Sequence, residues 1–382
     1  MSEEYEGREQ SQLKHRVLEA YLQPWFLKLG STSPKIKGPV RLWYIDCFAG
    51  PWASGRADLG DTSVGVGLKC LEDGQRIWNA KGLSKVEAAA IFIGKNKAAG
   101  KQLSDFLGAR LSPVQSNVFE GNFGEHIAKI EEKIGDDAAF VFVDPTGWKG
   151  ADMEYIARLA NKPFRDVLIN VMYEHINRFK DDDRPFLQNQ MQDFFGLDGN
   201  SIPRGLDERG LLTFYRQQLK KACRLKFVAD IAVPFPDKDR TYFRLVIGGN
   251  HPVVIKLFRN VEAQVIGKEA AGIRASVAQR KRESSGQTEW AALSAPPPGT
   301  IDVRHRKLHD EDKEMALSHA VDALQDKAML FGKLWPEILQ EFHLTERALA
   351  AALLADPRFE VEGMRSNERA LKDSHVVRLV RT

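Results

Sequence analysis

Short apolar runs alternate with helical stretches from Arg41 to Tyr173, and that alternation constrains the chain more than any other feature. "RLWYIDCF" (41–48) reads as a first strand and "EAAAIFIG" (87–94) as a second. "SPVQSNVF" (112–119), "AAFVFVDP" (138–145) and "DVLINVMY" (166–173) follow, with helices through "KNKAAGKQLSDFL" and "GEHIAKIEEKI" between them. "AAFVFV" is continuously apolar, as a strand buried on both faces must be. Strands and helices in this rhythm predict an α/β fold with a doubly wound, mostly parallel sheet. "RLKFVADIAVPF" (224–235) and "RTYFRLVIGG" (240–249) come without a helix between them, which predicts an antiparallel hairpin at one sheet edge.

Around this core the chain divides into four parts. Residues 1–40 carry an entry helix, with Leu13, Val17, Tyr21 and Leu22 at helical spacing and "PWF" (24–26) expected to break or kink it. Residues 41–270 form the α/β domain. Residues 271–311 are basic, then proline-rich ("SAPPPGT"), and read as a linker. Residues 312–382 give helix, helix, helix and two short strands with a polar tip, the order of a winged helix-turn-helix. Pro336 is expected in the first turn of its helix, and Thr345 as an N-cap.

The net charge is only +3, so any attraction to nucleic acid must come from local patches. Those are Arg280, Lys281 and Arg282, then Arg304, Arg306 and Lys307, with Arg347 on the recognition helix and Arg365 and Arg369 in the wing. A solvated linker is the competing reading of the first two groups. With one basic side chain and few groups able to read base edges, "TERALAAALLAD" favours backbone or protein contact over sequence readout. The three cysteines, Cys47, Cys70 and Cys223, form no CxxC pair or zinc spacing, so we expect no metal and a reduced, cytoplasmic protein. A polar, acidic start and no long apolar segment predict neither a signal peptide nor a membrane span.

In open α/β sheets ligands bind beyond the carboxyl ends of the strands. The first end, "DCFAGPW" (46–52), offers a carboxylate, then Ala49 and Gly50 with exposed backbone amides. The second, "FIGKN", has Gly94, Lys95 and Asn96 where nucleotide sheets usually place a ribose-binding acid. The third carries Asn122, either a base-recognising amide or a helix N-cap. The fourth, "VDPTGW", projects Asp144 from a buried strand, with Pro145 and Gly147 fixing a turn and Trp148 offering a stacking face. Lys14 and His15 on the entry helix, "YEHINRF" after the fifth strand and the acidic run Asp181–Asp183 are weaker candidates, for which solvated or locally salt-bridged surface is expected.

These segments together resemble a known family. "LKHRVLEAYLQPW", "YIDCFAGPW", "FVFVDPTGW" and "DVLINVMY", in this order, are similar to the three-Cys-motif partner proteins, from about Lys14 to the C-terminus. The resemblance implies a Rossmann-like class I methyltransferase sheet with S-adenosylmethionine as cofactor, a C-terminal winged helix, and a separate protein partner that carries the three-cysteine motif. It implies that Asp46, Phe48, Ala49, Gly50 and Pro51 line the methionine end, that Asn122 lies near adenine, and that Asp144 and Pro145 mark the transfer site. The "DPTG" turn is also similar to the "DPFG" turn of tRNA guanine N2-methyltransferases, which implies a base amine as acceptor. Two positions depart from the family pattern: Trp52 replaces a second glycine, and Gly94 replaces a common glutamate. Two functions follow. One is methyl transfer in nucleic-acid metabolism. The other is a catalytically degenerate methyltransferase-like protein that binds nucleic acid or assembles with a partner.

Overall fold

The computed structural model describes residues 5–32, 38–50, 54, 56–83, 85–199, 202–238, 240–284, 302–365 and 367–380. Contacts divide the chain into two units, Met1–His251 and Pro252–Thr382.

The first unit opens on α1 (Glu9–Gly30), followed by β1 (Val40–Asp46), α2 (Ser63–Ala80), β2 (Val86–Gly94), α3 (Lys97–Ala109) and β3 (Gln115–Glu120). A 3-10 turn (Phe123–His126) leads into α4 (Ile127–Ile134), then β4 (Ala138–Val143), α5 (Met153–Ala160) and β5 (Arg165–Val171). Next come α6 (Tyr173–Phe179), α7 (Pro185–Phe195), α8 (Glu208–Ala222), β6 (Phe227–Pro234) and β7 (Thr241–Gly249).

The strand order is β3-β2-β1-β4-β5-β7-β6. β1 pairs in parallel with β2 and β4, β2 with β3, and β4 with β5, whereas β7 runs antiparallel to both β5 and β6. This is the mixed, mostly parallel sheet of a Rossmann-like methyltransferase fold. The hairpin inserts β7 beside β5 and leaves β6 at the edge.

Side-chain alternation gives the sheet two packed faces. On one, Ile45, Ile91, Ile93, Val141, Val143, Val167 and Ile169 meet buried residues of α4, α5, α7 and α8. The other is aromatic. Tyr44 stacks on Phe140 at 6.3 Å, and Tyr21 and Trp25 of α1 reach the same Phe140 ring at 5.5 and 5.7 Å. Glycines let α2 come this close: a Cβ at Gly67 would lie 2.3 Å from the Tyr44 ring, and one at Gly74 would lie 2.2 Å from Phe26.

Pro24 does not break α1, which runs through it. The missing amide bond is outweighed by Tyr21, Leu22, Trp25 and Phe26, all buried on either side of it. Tyr21 also donates to the Asp166 carboxylate at 2.8 Å. Burial pushes the Asp166 pKa up to about 7, against the hydrogen bonds from Tyr21 and Trp25 that favour its charged form. A raised folded-state pKa means stability that is full below the unfolded value, about 4, and lost as pH rises towards about 7. Asp166→Asn should therefore flatten the fall in stability between those limits, read as urea midpoints of variant and wild type across pH.

The second unit contains α9 (Val253–Gln264), a π-helical turn (Val265–Glu269), α10 (Ala270–Ser284) and α11 (Val303–Leu324). It continues with β8 (Met329–Leu330), α12 (Phe331–Glu341), α13 (Glu346–Ala355), β9 (Phe359–Glu362) and β10 (Val376–Leu379). β10 pairs antiparallel with both β8 and β9. Within the span 271–311, residues up to Ser284 and from Val303 onward are helical, and Arg274 forms an ion pair with Asp302. Pro336 lies inside α12, not in its first turn, because the helix starts at Phe331. The Thr345 side chain caps α13 by accepting from the Ala348 amide at 3.1 Å.

A charged network lies inside this unit. Arg259, 1% exposed, donates to the Leu339 carbonyl at 2.9 Å and to Glu262 at 2.8 Å. Nδ1 of His343 lies 2.6 Å from the other Glu262 oxygen and 3.0 Å from the Arg259 guanidinium. Burial pushes the Glu262 pKa up, but the charges of His343 and Arg259 outweigh it and hold it at about 2.

Candidate functional site

The carboxyl ends of β1, β4 and β5 bring a dense polar group to one edge of the sheet. Asp46 ends β1 fully buried, with Oδ1 accepting from the Phe48 amide at 3.2 Å and Oδ2 from the Ser63 hydroxyl at 2.6 Å. Loss of solvent pushes its pKa up to about 6, more than those two hydrogen bonds lower it, and the neighbouring Asp144 charge adds to the rise.

Asp144 follows β4. Its Oδ2 accepts from Lys14 of α1 at 2.5 Å, and its Oδ1 from the Asn170 amide of β5 at 2.7 Å. The Lys14 ammonium also lies 5.9 Å from the centre of the Phe243 ring on β7. Asn170 is 2% exposed, and its own Oδ1 is buried with no hydrogen-bond partner. Beside Lys14, the His15 Nδ1 lies 3.0 Å from the Tyr5 hydroxyl. Burial, then the Lys14 charge, push the His15 pKa down to about 3, so the ring is neutral at physiological pH.

Lys14, expected on a solvated helix face, is therefore part of the site, and Asn170 and Phe243 join it without having been singled out. Lys14 lies one helical turn before Leu18, on the stripe that continues to Trp25. A lysine on an apolar stripe was the available signal for its burial.

The turn after Asp144 differs from expectation in one respect. Pro145 is buried and Gly147 half-buried, but Trp148 is 7% exposed. Its ring packs edge-on to Phe179 at 5.9 Å, and its Nε1 donates to Gln190 at 3.3 Å. It fills the core beneath the turn and presents no open stacking face, because an indole anchored among apolar groups leaves little area to water.

After β1, Phe48 is half-buried against Phe123 at 6.0 Å. Ala49 is buried with its amide bonded to the Ile93 carbonyl at 2.9 Å, and Gly50 takes φ +93°, where a side chain would be strained. Pro51 and Trp52 lie outside the described residues.

The end of β2 is closed by the protein's own backbone, and the end of β3 is engaged in a helix start. A Cβ at Gly94 would lie 2.9 Å from the Gly100 nitrogen and 3.1 Å from its Cα, both in α3. Asn96 caps α3, its side chain accepting from the Ala99 amide at 2.9 Å. Asn122 is exposed and bound to Glu125, its amide nitrogen at 3.2 Å and its Nδ2 at 2.6 Å. Of the two readings of Asn122 open in the sequence, the helix-start role is the one its contacts fill.

The weaker candidates are locally paired. Glu174 accepts from Arg240 at 2.8 Å, and Asp182 and Asp183 pair with Arg184 and Arg204. Among the described residues no group of three or more His, Cys, Asp or Glu side chains could hold a metal ion, and no helix is long and apolar enough to cross a membrane. The three cysteines are buried and unpaired.

The basic residues all lie in the second unit. Arg280 and Lys281 are on α10, with the Arg282 side chain outside the described set. Arg304, Arg306 and Lys307 lie on the first turns of α11, where Lys307 pairs loosely with Glu311 at 3.8 Å. Arg347, Arg365 and Arg369 are exposed.

No family model and no curated protein matches this chain. Among solved structures it is similar to the SAH-bound methyltransferase PaMTH1 of Podospora anserina, at a TM-score of 0.24 and 12% identity over 60% of this chain and 78% of that one. A likeness that low carries no argument. The fold rests on the strand order.

Proposed function

We propose that the chain is a catalytically degenerate methyltransferase-fold protein that works by assembling with a partner. The observation that carries this reading is the seating of α3 against Gly94. A ribose-binding carboxylate needs a side chain at that strand end, and a Cβ there would come within 2.9 Å of the Gly100 backbone nitrogen, so α3 would have to shift to admit it. Asn96 and Asn122, which could have offered amides to ribose or adenine, are already engaged in helix starts. The ribose and adenine ends of an S-adenosylmethionine site therefore lack the side chains that would hold them. Transfer to a base amine would further need Asp144 or its turn to receive a neutral amine, whereas Asp144 already holds the Lys14 ammonium and the Asn170 amide.

The second unit supports assembly over base readout. Taken as a winged helix-turn-helix, its recognition helix is α13, which exposes Arg347, Ala351, Leu354 and Ala355. One guanidinium and three apolar groups offer little to base edges. On the wing strands Arg378 is neutralised by Glu360 and Glu362 at 2.9 and 2.7 Å. The partner that the sequence resemblance implies, a protein with a three-cysteine motif, suits such a surface. Nucleic-acid binding is the second reading, favoured by exposed Arg365 and Arg369.

Two assays separate these readings. Incubated with methyl-labelled S-adenosylmethionine and nucleic acid or protein, the protein should transfer no label above background; incorporation that Asp144→Ala abolishes would restore the enzyme. In gel shifts at low salt, duplex and single-stranded probes should not move. A shift that weakens steeply with salt and is lost in Arg365→Ala/Arg369→Ala would favour nucleic acid.

A further inference from the structure

The edge formed by Asp144, Asn170 and Phe243 has the composition of a cation site, and its present occupant is a side chain of the same polypeptide. Lys14 places an ammonium on a carboxylate at 2.5 Å and near an aromatic ring at 5.9 Å. These two groups together select for positive charge. Asp46 adds a second buried carboxylate in the electrostatic neighbourhood of the first. A neutral base amine would leave this negative charge uncompensated, and an ammonium does not.

The occupant does not complete the site. Asn170 gives its Nδ2 to Asp144, and its Oδ1, buried in a residue only 2% exposed, receives nothing. An amide acceptor buried without a donor is destabilising. An ammonium carries three N–H donors, enough for Asp144 and Asn170 together. Lys14 arrives from α1 on a stem of fixed origin and leaves Asn170 unmet, a constraint that an untethered ammonium does not carry.

We propose that this edge is a recognition site for a primary alkylammonium group, with Lys14 as its tethered resident. An incoming ammonium displaces the Lys14 side chain alone, and α1 stays folded through Tyr21, Leu22, Trp25 and Phe26 on the aromatic face. A lysine side chain of a partner protein and a free polyamine share this chemistry. The inference goes beyond the degenerate-fold reading and does not depend on it, because cofactor titration reports on the Gly94 side and ammonium titration on the Asp144 side.

The test uses the full chain in which Lys14→Ala empties the position, titrated calorimetrically with n-butylammonium. Saturable binding is expected, weaker by about tenfold or more in Lys14→Ala/Asp144→Asn. Tetramethylammonium, equal in charge but without N–H donors, should not bind. An equal response to tetramethylammonium, or binding that survives Asp144→Asn, overturns the proposal. Should the alanine variant not fold, wild type carrying ¹⁵N-labelled lysine gives the answer. A protected Lys14 Nζ signal should disappear on addition of n-butylammonium and persist with tetramethylammonium; a signal unmoved by n-butylammonium overturns the proposal. In the same format, N-acetyl-lysine methylamide and spermidine identify the source. Tighter binding of the first supports a protein side chain, tighter binding of the second supports a polyamine, and binding of neither overturns the site.

Discussion

Gly94→Glu lowers the stability of the first unit by about 3 kcal/mol or more and does not create S-adenosylmethionine binding. The sequence suggests the opposite, since restoring the common acid should restore a ribose clamp worth about 1.5–3 kcal/mol. The geometry decides against it. At 2.9 and 3.1 Å the obstructing atoms are the backbone nitrogen and Cα of Gly100, which cannot rotate aside as a flexible side chain would. The variant must therefore lift the start of α3 from β2 and leave a carboxylate with no partner in a buried place. Urea unfolding would show the loss, and hydrogen exchange should rise in peptides covering α3. An unchanged midpoint would mean that α3 yields more easily than the contacts indicate.

Arg259→Met costs the second unit about 3–5 kcal/mol, the penalty for leaving a buried ion without one of its partners. Glu262 would lose its guanidinium and keep the His343 ring, and the carbonyls of Leu339 and Gln340 would lose their guanidinium donors. Arg259→Met/Glu262→Leu should be less damaged than the single variant, because the stranded charge leaves with its neighbour. The pH dependence follows in sign. Since the folded-state pKa of Glu262 is depressed to about 2, its contribution is full above the unfolded value of about 4.3 and lost as pH falls below it. Hydrogen exchange in α9 and α12, followed from neutral to acid pH, reports both effects on this unit alone.

Most of the sheet was legible because its pattern is local. "AAFVFV" reads as a strand buried on both faces, and the lack of a helix between β6 and β7 announced the hairpin. Helix ends were less certain: the tertiary packing that carries α1 through Pro24, and places Pro336 inside α12, overrides the local preference of proline. The site was legible at Asp46 and Asp144, since each carboxylate follows directly on a buried strand. It was not legible at Lys14, whose partner lies 130 residues away and which betrays itself only by its place on an apolar stripe. Asn170 sat in plain view inside "DVLINV", where its amide interrupts an apolar strand, yet only the pairing of β4 with β5 gives that interruption a meaning. The closure at Gly94 depends on a second glycine, Gly100, six positions later. Spacing alone does not distinguish a helix pressed on a strand end from an open loop.

The most direct measurement is a calorimetric titration of wild-type protein with S-adenosylmethionine and with S-adenosylhomocysteine. A strand edge closed at Gly94 predicts no heat beyond dilution at millimolar ligand. Saturable binding of either compound, abolished by Asp46→Ala, would contradict the account.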